Sequence, residues 1–351
     1  MSQISSAPAP AAGSARVLVV PSDYPGVSAQ DAAQFLGEGI RSVIRDAEVT
    51  LAPLPNGGAG TSELFVGQRV SLPTTDAAGQ LTEASYTFDR ATATAYVDAA
   101  SVVGTPAGVG DKGDTYGVGV LVADAATRGA RRVVLSLGDV VTVDGGTGIL
   151  VALAVNPLNA AGFTLGKGAA ALAGLEDFDT AKLNVAASAL EWVLLADDMG
   201  GVDVSHPGLA RLCEVTGVDP ETPGYGAGGA IPVALHWLSA LLHGNADKVR
   251  VVPGAEVVAQ ALDLPAQVAE HDFVVTGGQA GSAVAGQILT AAGETVVGLA
   301  GVDKPEASGS RAVVAELADL AELTAGRREE ALRAAGAQLA ADYLRISTVQ
   351  G

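Results

Sequence analysis

The stretch Leu135–Leu150, LSLGDVVTVDGGTGIL, decides the fold of this chain. It completes a β-branched run that begins at Arg132 and stops at Gly138, which is typical of a buried strand. An apolar helix, ILVAL, is predicted directly after Gly145 and Gly146. The loop between strand and helix carries three polar side chains: Asp139, Thr142 and Asp144. A strand, a glycine loop and a helix start in this order predict an α/β architecture.

This loop has the features of an anion site and also those of an ordinary turn. Backbone N–H groups at a helix start point outward, and the helix dipole favours negative charge there. Glycines also let a ligand approach the backbone closely. The run is G-G-T-G without a following Lys-Ser or Lys-Thr, so it matches neither a Walker A loop nor a dinucleotide-binding fingerprint. A phosphate or carboxylate ligand and a plain βα turn both stay open from this stretch alone.

The composition is that of a packed protein built from small aliphatic residues. Of the 351 residues, 48% are hydrophobic, only 4% are aromatic, and 45 are glycine. This length is enough for two domains with full cores. No apolar run is long enough to span a membrane, and the first residues lack the basic start and apolar segment of a signal peptide. We therefore expect no membrane insertion.

Charge and cysteine content restrict the partners. The net charge is −19 with only 20 Lys and Arg residues, which argues against nucleic acid and anionic membranes as partners. The single cysteine, Cys213, excludes an internal disulfide and favours a reducing, cytoplasmic location. One cysteine and four separated histidines give no zinc spacing, and no histidine has a visible partner for a catalytic triad.

A first βαβ unit precedes the central stretch. Arg16–Pro21, RVLVVP, predicts a buried strand, Ser28 caps the following helix, and Ala47–Leu54 predicts a second strand. That strand ends in another glycine loop, Asn56–Thr61. The carboxyl ends of parallel strands meet at one edge of a sheet, so we expect ligand-facing backbone from such loops to lie together.

The hydrophobic period changes at Val66. Residues 66–98 alternate, with turn residues roughly every eight to twelve positions, which predicts an antiparallel meander and hence a second domain. Later strands at Asp272–Thr276 and Glu294–Gly301 are expected to share one parallel sheet with the first βαβ unit. The expected parts are a flexible tail over 1–14, a discontinuous flavodoxin-like α/β domain over 15–65 and 225–351, and an inserted mixed α/β domain over 66–224.

Seven stretches, in order, resemble the motifs of one known family. The motif P-D-S-F-K-G-S resembles VVPSDYPGVS, which begins at Val19, and M-A-D-G-G-E-G-T resembles LPNGGAGT, Leu54–Thr61. The motif G-G-S-A-T-N-D-G-G-A-G resembles GDVVTVDGGTG, Gly138–Gly148. Four further motifs resemble Asp114–Val120, Tyr225–Ile231, Asp272–Ser282 and Glu294–Gly301. The chain is similar in this way to the type I glycerate kinases from Arg16 onward, and the resemblance implies their two-domain α/β fold.

The resemblance also implies an activity and a set of site residues. The activity is ATP-dependent phosphorylation of D-glycerate to phosphoglycerate, with Mg²⁺ as the metal and a nucleotide and a small organic acid as ligands. Asp23 and Asp144 are the implied catalytic residues, and Asp144 is also the metal candidate. The implied ligand cleft contains Ser22, Tyr24, Ser28, Asn56, Gly57, Gly58, Gly60, Thr61, Tyr116, Asp139, Thr142, Gly145, Gly146, Gly228, Gly229, Thr276, Gly277, Gly278 and Gln279.

The chain departs from the family mainly at charged positions. A motif lysine, an arginine and several carboxylates are replaced by Pro25, Ala280, Asn56, Ala59, Val120 and Gly278. Phosphoryl transfer depends on positioning and on neutralising charge, so these losses predict little or no kinase activity. Two interpretations stay open. The protein is either a divergent kinase or an inactive homologue that binds a metabolite or a protein partner, with Tyr24, Tyr116 and Tyr225 as candidate anchors for that partner.

Overall fold

The β-branched runs of the sequence form the central strands of two sheets. The computed structural model describes residues 15–55, 57–104, 109–278, 288–293, 295–301 and 312–348. The strands within these residues are β1 (Arg16–Pro21), β2 (Glu48–Leu51), β3 (Gln68–Thr75), β4 (Leu81–Asp89), β5 (Thr94–Asp98), β6 (Arg132–Ser136), β7 (Asn156–Leu158), β8 (Asp177–Asp179), β9 (Glu191–Ala196), β10 (Val249–Pro253), β11 (Phe273–Gly277), β12 (Val296–Ala300) and β13 (Ala312–Ala315).

The helices connect these strands. They include α1 (Ala29–Val43), α2 (Ala99–Val103), α3 (Tyr116–Thr127), α4 (Thr147–Ala152), α5 (Ala169–Leu172), α6 (Pro207–Thr216), α7 (Ala227–His243), α8 (Gly254–Ala261), α9 (Leu264–Ala269) and α10 (Ala325–Thr348). Thr61–Leu64 is a single 3₁₀ turn. The chain divides into two units, Met1–Leu54 with Asp263–Gly351, and Pro55–Leu262.

The first unit contains a five-stranded parallel sheet in the order β13-β12-β11-β1-β2. Numbered within the unit, this is the 2-1-3-4-5 order of flavodoxin-like folds, in which the strand order reverses between β1 and β11. The register pairs Val17 with Phe273 and Pro21 with Gly277. The α/β class and the shared parallel sheet that the sequence predicts are therefore confirmed.

The core of the first unit lies between this sheet and helices α1 and α10. The inward face of α1 buries Leu36 and Ile40, and α10 contributes Leu332 and Leu339, all fully buried. Each such side chain stabilises the folded state by about 1.5–3 kcal/mol relative to its exposed form. The ring of Phe273 on β11 stacks on Tyr343 with the centroids 4.6 Å apart.

The second unit contains a six-stranded mixed sheet in the order β10-β9-β6-β5-β4-β3. Strands β5, β6, β9 and β10 are parallel, and β3 and β4 form the antiparallel meander that the alternating sequence predicts. A small antiparallel pair, β7 and β8, follows α4. Leu135 in β6 is fully buried, as expected for an inner strand of a covered sheet.

The units divide at different residues from those expected. The expected boundaries were 65/66 and 224/225, whereas the structure divides the chain after Leu54 and after Leu262. Strand β10 is the reason for the second difference, since it pairs along its whole length with β9 of the second sheet. The first boundary lies earlier than expected because the loop Gly57–Gly60 makes its contacts with Gly138 and Asp98 of the second unit. The expected tail, 1–14, lies outside the described residues.

Helix α7 begins with three residues in the left-handed region. Gly228, Gly229 and Ala230 have φ values of 58°, 65° and 69°, and the regular helix continues after them. A Cβ atom on Gly229 would collide with the carbonyl oxygen of Thr142 in the central loop. The glycine is therefore required by both the backbone conformation and the close approach.

We expect Gly229→Ala to lower the free energy of unfolding by about 2 kcal/mol or more, because it adds a clash to left-handed strain. The matched control is Gly217→Ala, since Gly217 also has a positive φ of 69° but a Cβ atom there would meet nothing within 4 Å among the described residues. That control should lose only about 1 kcal/mol. Urea denaturation of both variants measures the difference, and equal losses would contradict the role given to the contact.

Candidate functional site

In the first unit, predicted site residues meet at the carboxyl ends of β1 and β11. The backbone N–H of Ser22 donates to the carbonyl of Gly277 over 2.8 Å, and the Ser22 hydroxyl donates to the same oxygen over 3.2 Å. Gly278 has a φ of 105°, and a Cβ atom there would collide with the Ser22 hydroxyl. Thr276 is buried and donates to the carbonyl of Val20 over 2.8 Å. These loops adjoin the strand-order reversal, where α/β folds commonly bind ligands.

Asp23 and Ser28 organise the start of α1. The Asp23 carboxylate accepts a hydrogen bond from the backbone of Ala29 over 2.7 Å. The Ser28 hydroxyl accepts one from the backbone of Asp31 over 3.1 Å, as the sequence predicts for the capping residue. Both side chains satisfy N–H groups of the first turn. The catalytic role expected for Asp23 stays a prediction.

Tyr24 is buried and faces the protein interior. Its hydroxyl donates to the carbonyl of Ala300 over 2.9 Å, and burial raises the pKa of that hydroxyl. Tyr225 is also buried. The expectation that these two tyrosines anchor a protein partner is wrong, because an anchor must be accessible. Their neighbouring glycines indicated loop positions, but the burial depends on contacts from distant parts of the chain.

In the second unit, the first glycine loop contacts the central loop directly. The backbone N–H of Gly138 donates to the carbonyl of Gly57 over 2.9 Å. A Cβ atom on Gly58 would collide with the carboxylate of Asp139. The Thr61 hydroxyl donates to the carbonyl of Gly58 over 2.7 Å. The carboxyl end of β6 is thus adjacent to Gly57–Thr61, whereas Asn56 and Gln279 lie outside the described residues.

Asp98, at the end of β5, holds this glycine loop in place. Its carboxylate accepts hydrogen bonds from the backbone of Gly60 over 3.1 Å and from the backbone and hydroxyl of Ser62 over 2.9 and 2.7 Å. Burial raises the pKa of the Asp98 carboxyl, although these hydrogen bonds oppose the shift. Asp98 is not among the site residues that the sequence predicts. Its signal was an aspartate directly after a buried strand, at the predicted ligand edge.

Asp139 and Asp197 form an acidic pair at the ends of neighbouring parallel strands. Asp139 follows β6 and has a φ of 61°, a strained conformation that is common at functional sites. Asp197 follows β9 directly. Asp197 is exposed, but partial desolvation of its carboxyl raises the pKa, and the nearby charges of Asp139 and Asp198 raise it further against opposing backbone hydrogen bonds. Asp197 was also missed, although it ends an apolar strand in the same way as Asp139.

Asp144 is enclosed by the starts of two helices. One carboxylate oxygen accepts hydrogen bonds from the backbone and hydroxyl of Thr115 and from the backbone of Gly148, each over 2.9 Å. The other accepts one from the backbone of Gly146 over 3.1 Å. Burial raises the pKa of the carboxyl, against these hydrogen bonds. In this geometry Asp144 joins α3 to α4, and its expected role toward substrate or metal stays a prediction.

The rest of the central loop packs on the beginning of α7. The backbone N–H of Gly145 donates to the carbonyl of Gly229 over 3.0 Å. Gly146, with a φ of 78°, approaches the carbonyl of Ile231 so closely that a side chain would not fit. Thr142 is buried, and its hydroxyl has no hydrogen-bond partner among the described residues. Gly228 lies against Leu137. The predicted Gly228 and Gly229 therefore join the site through backbone packing.

Tyr225 and His236 form a partly buried pair near the start of α7. The Tyr225 hydroxyl lies 2.7 Å from Nδ1 of His236, and the two rings meet edge to face with centroids 5.6 Å apart. Burial lowers the pKa of the His236 imidazole and raises that of the Tyr225 hydroxyl. The histidine is therefore neutral at physiological pH.

We expect His236 to titrate below its ordinary pKa of 6.5. The unfolded chain then binds the proton more readily, so this residue makes stability fall as the pH drops below about 6.5. Histidine NMR titration measures the pKa, and His236→Gln identifies the signal among four histidines. A His236 pKa above 6.5 in the unmodified protein would show that the pair is solvated.

Metal-binding clusters and membrane-spanning helices are both absent from the described part of the chain. Within the described residues, no group of three or more His, Cys, Asp or Glu side chains could hold a metal ion. A cation that needs only one or two protein carboxylates is compatible with that result. In the same part of the chain, no helix is long and apolar enough to cross a membrane.

The amino-acid sequence of the chain matches a known protein family. The model of the Glycerate kinase family matches residues 17–203, which include both glycine loops of the second unit, Asp98 and Asp197. The chain belongs to the glycerate kinase family. It is 27% identical to a glycerate kinase of Halalkalibacterium halodurans over 74% of this chain and 76% of that protein. It is also 27% identical to glycerate 2-kinase of Escherichia coli, over 75% and 76% of the two chains.

The fold of the chain is also similar to that of a solved structure with a related name. The crystal structure of a candidate glycerate kinase 2 from Salmonella typhimurium LT2 superposes with a TM-score of 0.66 at 21% identity. The match covers 96% of this chain and 100% of that one. The two-domain α/β fold of a glycerate kinase is thus shared over nearly the whole length.

Proposed function

We propose that this glycerate kinase family member binds a Mg²⁺-nucleotide and a small organic acid of the glycerate class, and that it transfers the phosphoryl group slowly or not at all. Family membership supports the ligand classes. The substitutions at charged motif positions support the loss of rate. The protein would act as a cytoplasmic metabolite-binding member of a kinase family.

The observation that carries the binding proposal is the pair Asp139 and Asp197 beside the first glycine loop. Mg²⁺ in nucleotide sites commonly uses one or two carboxylates together with substrate phosphates and water. Two aspartates at the ends of adjacent parallel strands, β6 and β9, meet this requirement. Partial desolvation and, to a smaller extent, the nearby charge of Asp139 raise the pKa of Asp197, and a bound divalent cation would favour the charged carboxylate. Asp139 and Asp197 are therefore the residues that would hold Mg²⁺.

The glycine loop supplies the second part of the site. Gly57 and Gly58 have no side chains, and Asp98 fixes the conformation of Gly60 by accepting a hydrogen bond from its backbone N–H. Glycine backbone lets phosphate oxygens approach closely. If a Mg²⁺-nucleotide bound there, the Mg²⁺ ion would supply the charge that neutralises the phosphate groups. The protein's own part is positioning, through loops fixed by buried carboxylates.

The proposal is tested by calorimetric titration of the full chain with ATP in Mg²⁺. Binding should be saturable, and Asp139→Asn should weaken it by about tenfold or more, because a metal ligand and its charge are lost. Glu83→Gln is the matched control, since it removes one exposed carboxylate from β4 of the same unit. Sites with dissociation constants of about 1 mM are still measurable by this method. The proposal would be overturned if Mg²⁺-ATP at that concentration did not bind, or if the Asp139→Asn variant bound it equally well.

A further inference from the structure

A cavity of about 300 Å³ in the second unit lies apart from the aspartate pair. Its walls come from the starts of α3 and α4, the end of β3 and the segment Thr164–Gly168. Neither Asp139, Asp197 nor the glycine loop Gly57–Gly60 lines it. A ligand held there would use different side chains from those of the proposed nucleotide site.

Two opposite charges meet at this cavity. Asp114 is only 4% exposed, and its carboxylate lies 2.8 Å from Nζ of Lys167. The Lys167 side chain is 53% exposed, and its ammonium lies 5.7 Å from the centre of the Tyr116 ring. The carboxylate is therefore fixed in the protein, whereas the lysine reaches it from the solvent side and can exchange partners.

The remaining lining is apolar, apart from a few hydroxyl groups. Val151, Pro157 and Leu165 form an aliphatic wall. Thr75 also lines the cavity, and its buried hydroxyl oxygen has no hydrogen-bond partner among the described residues. An unpaired buried hydroxyl costs about 1–3 kcal/mol, so a ligand that supplies a partner for it gains affinity.

The charge balance restricts the ligand. A simple anion would face the fixed carboxylate of Asp114, and a simple cation would face the ammonium of Lys167. A molecule with adjacent ammonium and carboxylate groups satisfies both, with its ammonium on Asp114 and beside the Tyr116 ring and its carboxylate on Lys167. The aliphatic wall then requires an apolar tail, and about 300 Å³ is enough for a molecule with a branched four-carbon side chain.

We propose that this cavity binds an aliphatic α-amino acid. Because its lining does not include Asp139 or Asp197, the cavity is tested without ATP or glycerate. Titration of the full chain with L-leucine should give saturable heat, and glycine should bind at least about tenfold more weakly because it lacks the tail. 4-Methylpentanoate and 3-methylbutylamine, which each lack one of the two charges, should also bind at least about tenfold more weakly.

Variants at the rim identify the site. Lys167→Met keeps the length of an exposed side chain and should weaken leucine binding by at least about tenfold. The matched control is Lys182→Met, at an exposed lysine that does not line the cavity. Thr75→Val gives a second variant, with a smaller loss, and thermal denaturation checks that each variant is folded. Absence of leucine binding, equal binding by either single-charge analogue, or equal binding by Lys167→Met would overturn the proposal. Lys167-dependent binding of D-glycerate in place of leucine would overturn it as well.

Discussion

Purified protein supplied with ATP, Mg²⁺ and D-glycerate is expected to release ADP at least about 10⁴-fold more slowly than the roughly 1–1000 turnovers per second usual for enzymes. The motif lysine is Pro25 and the motif arginine is Ala280 in this chain. Each contact to developing charge is worth about 10²–10³ in rate, so two absent cations account for this factor. The absent carboxylates at Asn56 and Gly278 lower the rate further.

A coupled assay of ADP release measures this rate. The glycerate kinase of Halalkalibacterium halodurans, assayed in parallel, shows that the conditions support turnover. Residual activity must also be tested in the Asp139→Asn variant, because a contaminating kinase would be unaffected by it. Turnover at the ordinary enzymatic scale that disappears in Asp139→Asn would refute the proposed loss of catalysis while leaving the binding site intact. The titration with Mg²⁺-ATP separates these two conclusions.

The second large effect is expected at Asp144. Asp144→Asn should lower the free energy of unfolding by about 3 kcal/mol, because an amide N–H group replaces an acceptor that faces several buried donors. Thr115 and Gly148 then lose partners at the starts of α3 and α4 together. The variant should unfold at a clearly lower urea concentration without a change in the slope of the transition.

The control for Asp144→Asn is Glu83→Gln, which makes the same charge change at an exposed strand position. We expect that control to stay within about 0.5 kcal/mol of the unmodified protein. If Asp144→Asn is as stable as the control, the carboxylate does not join the two helices as described. Its predicted role toward substrate would then become the better explanation for an aspartate in this loop.

The sequence by itself determined the strands rich in β-branched residues, the α/β class and the family resemblance. Runs such as RVLVVP and RVVLS are rich in β-branched residues, and this local preference predicts β1 and β6 without knowledge of their partners. The change to alternation after Val66 likewise predicted the antiparallel pair β3 and β4. Glycines at strand ends predicted where a ligand edge would lie, because the loops there need conformations that other residues rarely adopt.

Only the tertiary structure decided the unit boundaries and the roles of the acidic residues. Strand β10 is short, and its membership of the second sheet follows from pairing with β9, more than fifty residues earlier in the sequence. Asp98, Asp139 and Asp197 lie at or just beyond strand ends, and Asp144 lies further along the loop that follows β6, so the sequence pattern does not separate their roles. Their environments differ because each is surrounded by N–H groups and charges from distant segments. Asp144 is enclosed by two helix starts, whereas Asp139 and Asp197 approach one another across neighbouring strands. Hydrogen bonding and electrostatics depend on distance in space, which strand pairing and helix packing determine and residue spacing does not.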